Sequence, residues 1–193
     1  SKDPTFLEAY RNNDDIHALT ASTIFKVPVD EVNREMRSKA KEVNFGLIYK
    51  MGPERLSIVT QTTRSEAKAF IERFFEKYST IQALQERFLA KARKEGFTTT
   101  LLGRRRYLPD INSKGLLKRM AEGAAVNTPI QGSAAEVIKL AMIKIQQQLQ
   151  EEQMKAKMIL TVHDELVFDV PIEEEKQLCE MIKDTMENVM ILE

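Results

Sequence analysis

Tryptophan is absent from this chain and cysteine occurs once, at Cys179. A lone thiol excludes an intrachain disulfide framework and a cysteine-built zinc site, and it fits a reducing compartment. Two histidines, His17 and His163, exclude a histidine-rich metal centre. Seven glycines and six prolines in 193 residues leave no collagen-like or low-complexity tract. No apolar run reaches the roughly 20 residues that span a bilayer, so no membrane partner is expected. Charge of one sign is lacking too: 29 basic residues face 29 acidic ones. Net charge therefore points neither toward nor away from nucleic acid, and only local clusters can.

What is present suits a packed core. The chain is 42% hydrophobic and 30% charged, and its length fits one domain, or one domain plus a subdomain. Ser1-Lys2-Asp3-Pro4 and Met190-Ile191-Leu192-Glu193 read as cut ends, so a piece of a longer protein is expected.

The pattern is mostly helical. Asp15 to Phe25 reads as a short helix broken by Val27-Pro28-Val29. A second helix starts near Asp30 to Asn33, with Met36, Ala40, Val43, Leu47 and Ile48 on one side, and Gly52-Pro53 is expected to end it. Leu56 to Val59 begins another short element. Thr63 and Glu66 have capping-box spacing ahead of Ala67, Phe70, Ile71, Phe74 and Tyr78. Ile81, Leu84, Phe88, Leu89 and Ala92 continue after a break at Ser79-Thr80, and Gly96 is a C-terminal stop. Phe97–Leu102 and Arg104–Leu108 read as a hairpin. Lys118 to Val126 is helical, and Asn127-Thr128-Pro129 is expected to break it. A long helix over Ser133–Glu151 would face a core with Ala134, Val137, Ile138, Ala141, Ile145 and Leu149. Met158–Val162 and Leu166–Val170 form a second hairpin, and a final helix begins near Glu173. The fold class is α+β, with a small antiparallel sheet.

Three clusters carry chemistry. Arg37, Lys41, Phe45 and Tyr49 recur every four residues and form one slanted helical stripe. Cations suit a phosphate chain and flat rings suit a base or sugar; the plain alternative is a solvated basic face running into an aromatic core contact. Arg104-Arg105-Arg106, at the tip of the first hairpin, suits a phosphate backbone, though charged tips are common. Asn127 and Gln131, just before a helix N-terminus, could bond bases or serve as caps. In the second hairpin, Asp164-Glu165 would sit at a buried-looking tip. Paired carboxylates there suit Mg²⁺, and a solvated turn is the alternative. His163-Asp164 also has the form of an HD-type metal site, but that chemistry needs further histidines, and only His17 remains.

Together these segments resemble family A DNA polymerases, the bacterial DNA polymerase I family. Arg37 through Tyr49 resembles the family's R-x-x-x-K-x-x-x-F-G-x-x-Y motif, and Val162-His163-Asp164-Glu165 resembles V-H-D-E. Asp15-Ile16-His17, Gly103 through Asp110 and Asn127 through Gly132 resemble further blocks, in the family's order. The resemblance implies a mainly fingers region over 1–130, with a β-hairpin at about 97–108, and a partial palm over 131–193. It implies template-directed DNA synthesis by two-metal phosphoryl transfer. Its partners would be dNTPs, primer-template DNA and the rest of a longer polymerase, and its cofactor would be two Mg²⁺ ions. His17, Arg37 and Lys41 would meet the triphosphate, and Lys41 would also act in catalysis. Phe45 would pack on sugar and base, Tyr49 near the template base. Asp164 would be catalytic and, with Glu165, would hold metal. Arg104, Arg105, Arg106, Asn127, Gln131 and His163 would meet DNA. Phe at position 45 implies discrimination against dideoxynucleotides. The implied location is the cytoplasm of a bacterial or phage-infected cell, with an organelle as the alternative.

The departures are as informative. The family's D-Y-S-x-x-E-like strand, which brings the other metal-binding aspartate, is not in these residues. Without it the alternative is a non-catalytic DNA- or nucleotide-binding fragment. Gly123 and Ser38 stand where the family usually has Arg, Lys50 where it has Gly, and Glu136 where it has Asp.

Overall fold

The computed structural model describes residues 2–190. Its order is α1 (Pro4–Arg11), α2 (Ile16–Phe25), α3 (Arg34–Ile48), α4 (Pro53–Thr60), α5 (Arg64–Lys77), α6 (Ser79–Glu95), β1 (Phe97–Thr99), β2 (Arg105–Tyr107), α7 (Gly115–Asn127), α8 (Ser133–Glu151), β3 (Lys157–Val162), β4 (Glu165–Asp169) and α9 (Glu175–Asn188). Helices joined to two separate two-stranded antiparallel sheets make the α+β class. The chain divides into two units. One holds the residues up to Thr99 together with Arg105–Thr128, and the other holds Thr100–Arg104 and the residues from Pro129 onward.

In the first unit, short polar side chains set the helix starts. Asp15 caps α2 by accepting from the N–H groups of His17 and Ala18, and Asn33 caps α3 by accepting from Met36. Thr63 and Glu66 close the expected capping box on α5. Gly96, at φ 76°, ends α6 in the left-handed region, where a residue without Cβ is unstrained. One core gathers Val43, Leu47, Leu56, Ala67, Phe74, Tyr78 and Ile81. A second gathers Leu89, Ala92, Leu108, Ile111, Ala121, Ala125 and Val126.

Several boundaries differ from the sequence pattern. Helix α1 had no expectation; Asp3 caps it and Pro4 begins it. Helix α3 stops at Ile48, before Gly52-Pro53. Lys50 takes a left-handed φ of 71°, while Met51 N–H donates to Gly46 O (2.7 Å) and Lys50 N–H to Leu47 O (3.2 Å). That pair of bonds is a Schellman closure. Gly52-Pro53 instead starts α4, with proline in the first turn, where its missing N–H costs nothing. The break expected at Ser79-Thr80 falls at Tyr78, which ends α5 and precedes α6.

The largest correction concerns Asn127-Thr128-Pro129. No break occurs there, because Thr128–Gly132 forms a π-helical turn leading into α8. Proline cannot donate an i→i−4 bond, and a widened turn absorbs that loss. Gln131 therefore lies inside this turn, not in a loop before a helix start.

In the second unit, Ala141, Ile145 and Leu149 on α8 pack with Ala156 and with Leu178 on α9. Ala134, expected in this core, is exposed, and Ser133 and Glu136 are buried instead. The β3–β4 register runs Val162↔Glu165, Thr161↔Leu166 and Leu160↔Val167, then shifts to Met158↔Phe168. Ile159 is the extra residue of a β-bulge. This hairpin is not buried at its tip: residues 159 to 165 are all exposed.

Candidate nucleotide-binding face and carboxylate hairpin

The stripe on α3 lies in the first unit. Arg37, Lys41 and Phe45 are exposed, and Tyr49, which caps the helix, is half-buried against the second core. Lys41 Nζ stands 6.0 Å from the Phe45 ring centroid. The Phe45 and Tyr49 rings stack at 6.5 Å with 20° between their planes. Helix α2 adds His17, whose ring is 5.9 Å from that of Phe45. One surface thus carries two cations, an imidazole and two rings.

Its cations differ in commitment. Arg37 Nε donates to Asp15 Oδ2 at 2.5 Å, leaving both terminal guanidinium nitrogens for another acceptor. That bond is the main reason the Asp15 carboxyl is held below its ordinary range, with the backbone N–H groups of Ala18 and His17 adding to it. Lys41 makes no ion pair among the described residues. The His17 pKa is lowered from 6.5, first by burial and then by the charges of Arg37 and Lys41, against the opposing pull of Asp15. Burial and the two cations therefore favour the neutral ring.

The sequence pattern assigned no site role to three supporting residues. Asp15 orients Arg37. Asn44, 2% exposed, bonds His17 and Thr20 from the core side of α3. Gln85, 3% exposed, donates through Nε2 to Leu47 O (2.9 Å) and Ile48 O (2.8 Å), fastening the end of α3 to α6. A signal existed for Asn44: it follows Ala40 by four residues and precedes Leu47 by three, which puts an amide on the apolar face.

The arginines are not all at the hairpin tip. Arg105 and Arg106 lie in β2, opposite Thr99 and Thr98. Arg105 sits over the Phe97 ring at 4.7 Å, and Arg106 donates to Thr128 Oγ1 at 3.3 Å. Arg104 belongs to the second unit, where its Nε donates to the buried Glu136 at 3.0 Å. The Thr100 hydroxyl, followed by Arg104, holds the Glu136 carboxyl below its usual range. Asn127 ends α7 half-buried, and Gln131 is exposed in the π-helical turn. At Gly123 an added Cβ would meet only Tyr49 O, at 3.7 Å, an ordinary contact.

His163, Asp164 and Glu165 lie together at the exposed β3–β4 turn in the second unit. His163 has φ 55°, a left-handed value at the first turn residue. Among the described residues, no group of three or more His, Cys, Asp or Glu could hold a metal. No helix there is long and apolar enough to cross a membrane.

Known proteins match the whole chain. The model of DNA polymerase family A matches residues 1–193. DNA polymerase I of Bacillus caldotenax is 44% identical over 193 residues, covering 100% of this chain and 22% of that protein. DNA polymerase I of Bacillus subtilis (strain 168) is 44% identical over 194 residues, with the same coverage. A solved structure of the POL domain of Pol1 from M. smegmatis, in complex with DNA primer-template and dNTP, superposes with a TM-score of 0.88 at 37% identity. The match covers 99% of this chain and 34% of that one. The chain spans about a fifth of the length of the curated relatives it matches. The family match over every residue, on a fold that carries the stripe and the carboxylate turn, makes this chain a member of DNA polymerase family A.

Proposed function

We propose that this chain supplies the fingers and part of the palm of a polymerase that adds dNTPs to a primer 3′-OH under template direction. The observation that carries the reading is the α2–α3 face, where Arg37, Lys41, His17 and Phe45 converge. Phosphoryl transfer depends on positioning and charge neutralisation, and this face offers both. Arg37 and Lys41 would grip the triphosphate, and His17 would donate a neutral N–H to it. Phe45 would pack on sugar and base, with Tyr49 beside it toward the template. Lys41, free of an ion pair, would offset charge on the departing pyrophosphate and give it a proton. Arg105 and Arg106, with Asn127, Gln131, His163 and Arg104, would follow the primer-template. The bacterial relatives support a cytoplasmic location.

Asp164 and Glu165 fit a divalent cation in part. Mg²⁺ commonly takes one or two carboxylates and completes its shell with substrate phosphates and water. An exposed, adjacent carboxylate pair supplies that number, and the described residues hold no larger cluster. When bound, Mg²⁺ would neutralise phosphate oxygens and make the primer hydroxyl a better nucleophile.

The test is primer extension with Mg²⁺ and dNTPs by the polymerase containing this chain, alongside dNTP titration of the chain alone. Template-dependent extension and dNTP binding lost in Lys41→Ala are the expected results. Binding that is unchanged in Lys41→Ala and Arg37→Ala would overturn the assignment of the α3 face.

A further inference from the structure

Asn44 is a buried amide pointing at a half-buried imidazole. Its Nδ2 lies 3.0 Å from His17 Nδ1 and 3.4 Å from Ile16 O, and its Oδ1 lies 3.0 Å from the Thr20 hydroxyl, which shares its one proton between that oxygen and Ile16 O at 2.9 Å. Asn44 and Thr20 are 2% and 6% exposed. Turning the amide over would set its oxygen against the Ile16 carbonyl oxygen, two acceptors face to face. The nitrogen therefore faces His17, so Nδ1 must accept. The Asp15 cap bonds the His17 backbone N–H at 3.0 Å and fixes where the ring begins. The second position of a helix also sits in the positive end of its dipole, which favours the neutral ring.

We propose that Asn44 is a positioning residue that locks neutral His17 in its Nε2–H tautomer, with the N–H directed away from the core to donate to a phosphate oxygen of the incoming nucleotide. The inference rests on the nucleotide reading above only for the identity of the acceptor. The lock itself is a property of the chain. A neutral imidazole has one N–H, and only one tautomer places it away from Asn44. The charges facing this ring are Asp15 on the α2 cap and Arg37 and Lys41 on α3.

The test reads the ring directly. Ring-nitrogen NMR shifts of ¹⁵N-labelled chain should show an unprotonated Nδ1 and a protonated Nε2 for His17 at pH 7.5. In Asn44→Asp a carboxylate faces Nδ1 and can only accept, so the ring proton should move to Nδ1. Nε2 then carries a proton only while the ring is an imidazolium. Titration with dATP in this variant should weaken about tenfold as pH rises through the new His17 midpoint, the worth of one hydrogen bond. In the unmodified chain no such step should appear there. An Nδ1–H tautomer in the unmodified chain, or an unmoved proton in Asn44→Asp, overturns the lock. A tautomer switch with no dATP binding to either chain supports the lock and overturns the nucleotide reading. Should Asn44→Asp fail to fold, Asn44→Ala removes the donor that faces Nδ1 and should yield mixed tautomers; a single unchanged tautomer there overturns the lock as well.

Discussion

The α2–α3 face and the β3–β4 turn are built on different ranges of sequence. Every side chain of the face comes from residues 15 to 49, and three braces support it: Asp15 on Arg37, Asn44 on His17, Gln85 beneath the end of α3. The turn offers Asp164 and Glu165 as neighbours in sequence, exposed, and outside any group of three possible metal ligands among the described residues. A helix periodicity of 3.6 assembles a binding stripe from one segment. Mg²⁺ takes an octahedral shell of oxygens, more than two adjacent carboxylates supply, so the turn carries only its share. One site is thus stabilised by its fold, and the other is a chemical group on display.

That contrast makes opposite predictions for two substitutions. Asp164→Asn should lower primer extension by the containing polymerase on the order of 10³-fold, the scale of removing a key charge-stabilising group. It should move folding stability by less than about 0.5 kcal/mol, because Asp164 is exposed. Rapid-quench extension assays and urea unfolding measure the two. A large stability loss would mean that the turn is braced after all. Gln85→Leu should do the reverse. It removes the side-chain donor from Ile48 O and one of the two donors from Leu47 O, which keeps Lys50 N–H, and should cost about 1–2 kcal/mol. Faster amide exchange should appear in the last turn of α3 and not in α8 or α9. Uniform loosening of both units would remove the local bracing that the comparison assigns to Gln85.

How much of this could be read beforehand depends on range in the same way. The capping box at Thr63–Glu66 and the stop at Gly96 were legible, because each is set by residues within one turn. The stripe on α3 was legible for the same reason. The π-helical turn at Thr128–Gly132 was not. Its Pro129 reads as a breaker, and only the wider turn makes it tolerable. Nor was the burial of Glu136, whose partners Thr100 and Arg104 lie more than thirty residues away. Asn44 and Gln85 escaped because polar residues among apolar ones read as surface until their partners are known. The bulge at Ile159 reversed another expectation: two apolar runs suggested a buried hairpin, while Leu160 and Val162 point outward.

Within the face, Phe45→Tyr should leave the bracing untouched and change only what the ring meets. Phe45 is 42% exposed, so a phenolic hydroxyl meets solvent in the free chain. With a nucleotide bound, the hydroxyl offers a partner that replaces a missing sugar 3′-OH. Discrimination against dideoxynucleotides should fall about tenfold, the worth of one hydrogen bond. Termination assays at matched dNTP and ddNTP concentrations give the ratio. An unchanged ratio would place the sugar away from Phe45 and confine the face to phosphate binding.

The smallest expected effect tests whether the bracing of α3 is complete. Lys50 closes the helix at φ 71°, where a side chain costs about 1 kcal/mol relative to glycine. Its ammonium reaches Glu86 only at 3.9 Å on the surface, a pair of little worth. Lys50→Gly should therefore stabilise the chain by about 1 kcal/mol in urea unfolding, less what glycine adds to unfolded-chain entropy. The same substitution should leave the His17 tautomer and the dNTP affinity alone, because Asn44 lies more than a turn before it and Asp15 caps α2. Weaker dNTP binding in Lys50→Gly would show that strain at position 50 helps aim Tyr49, and the end of the face would then be tuned as well as fastened.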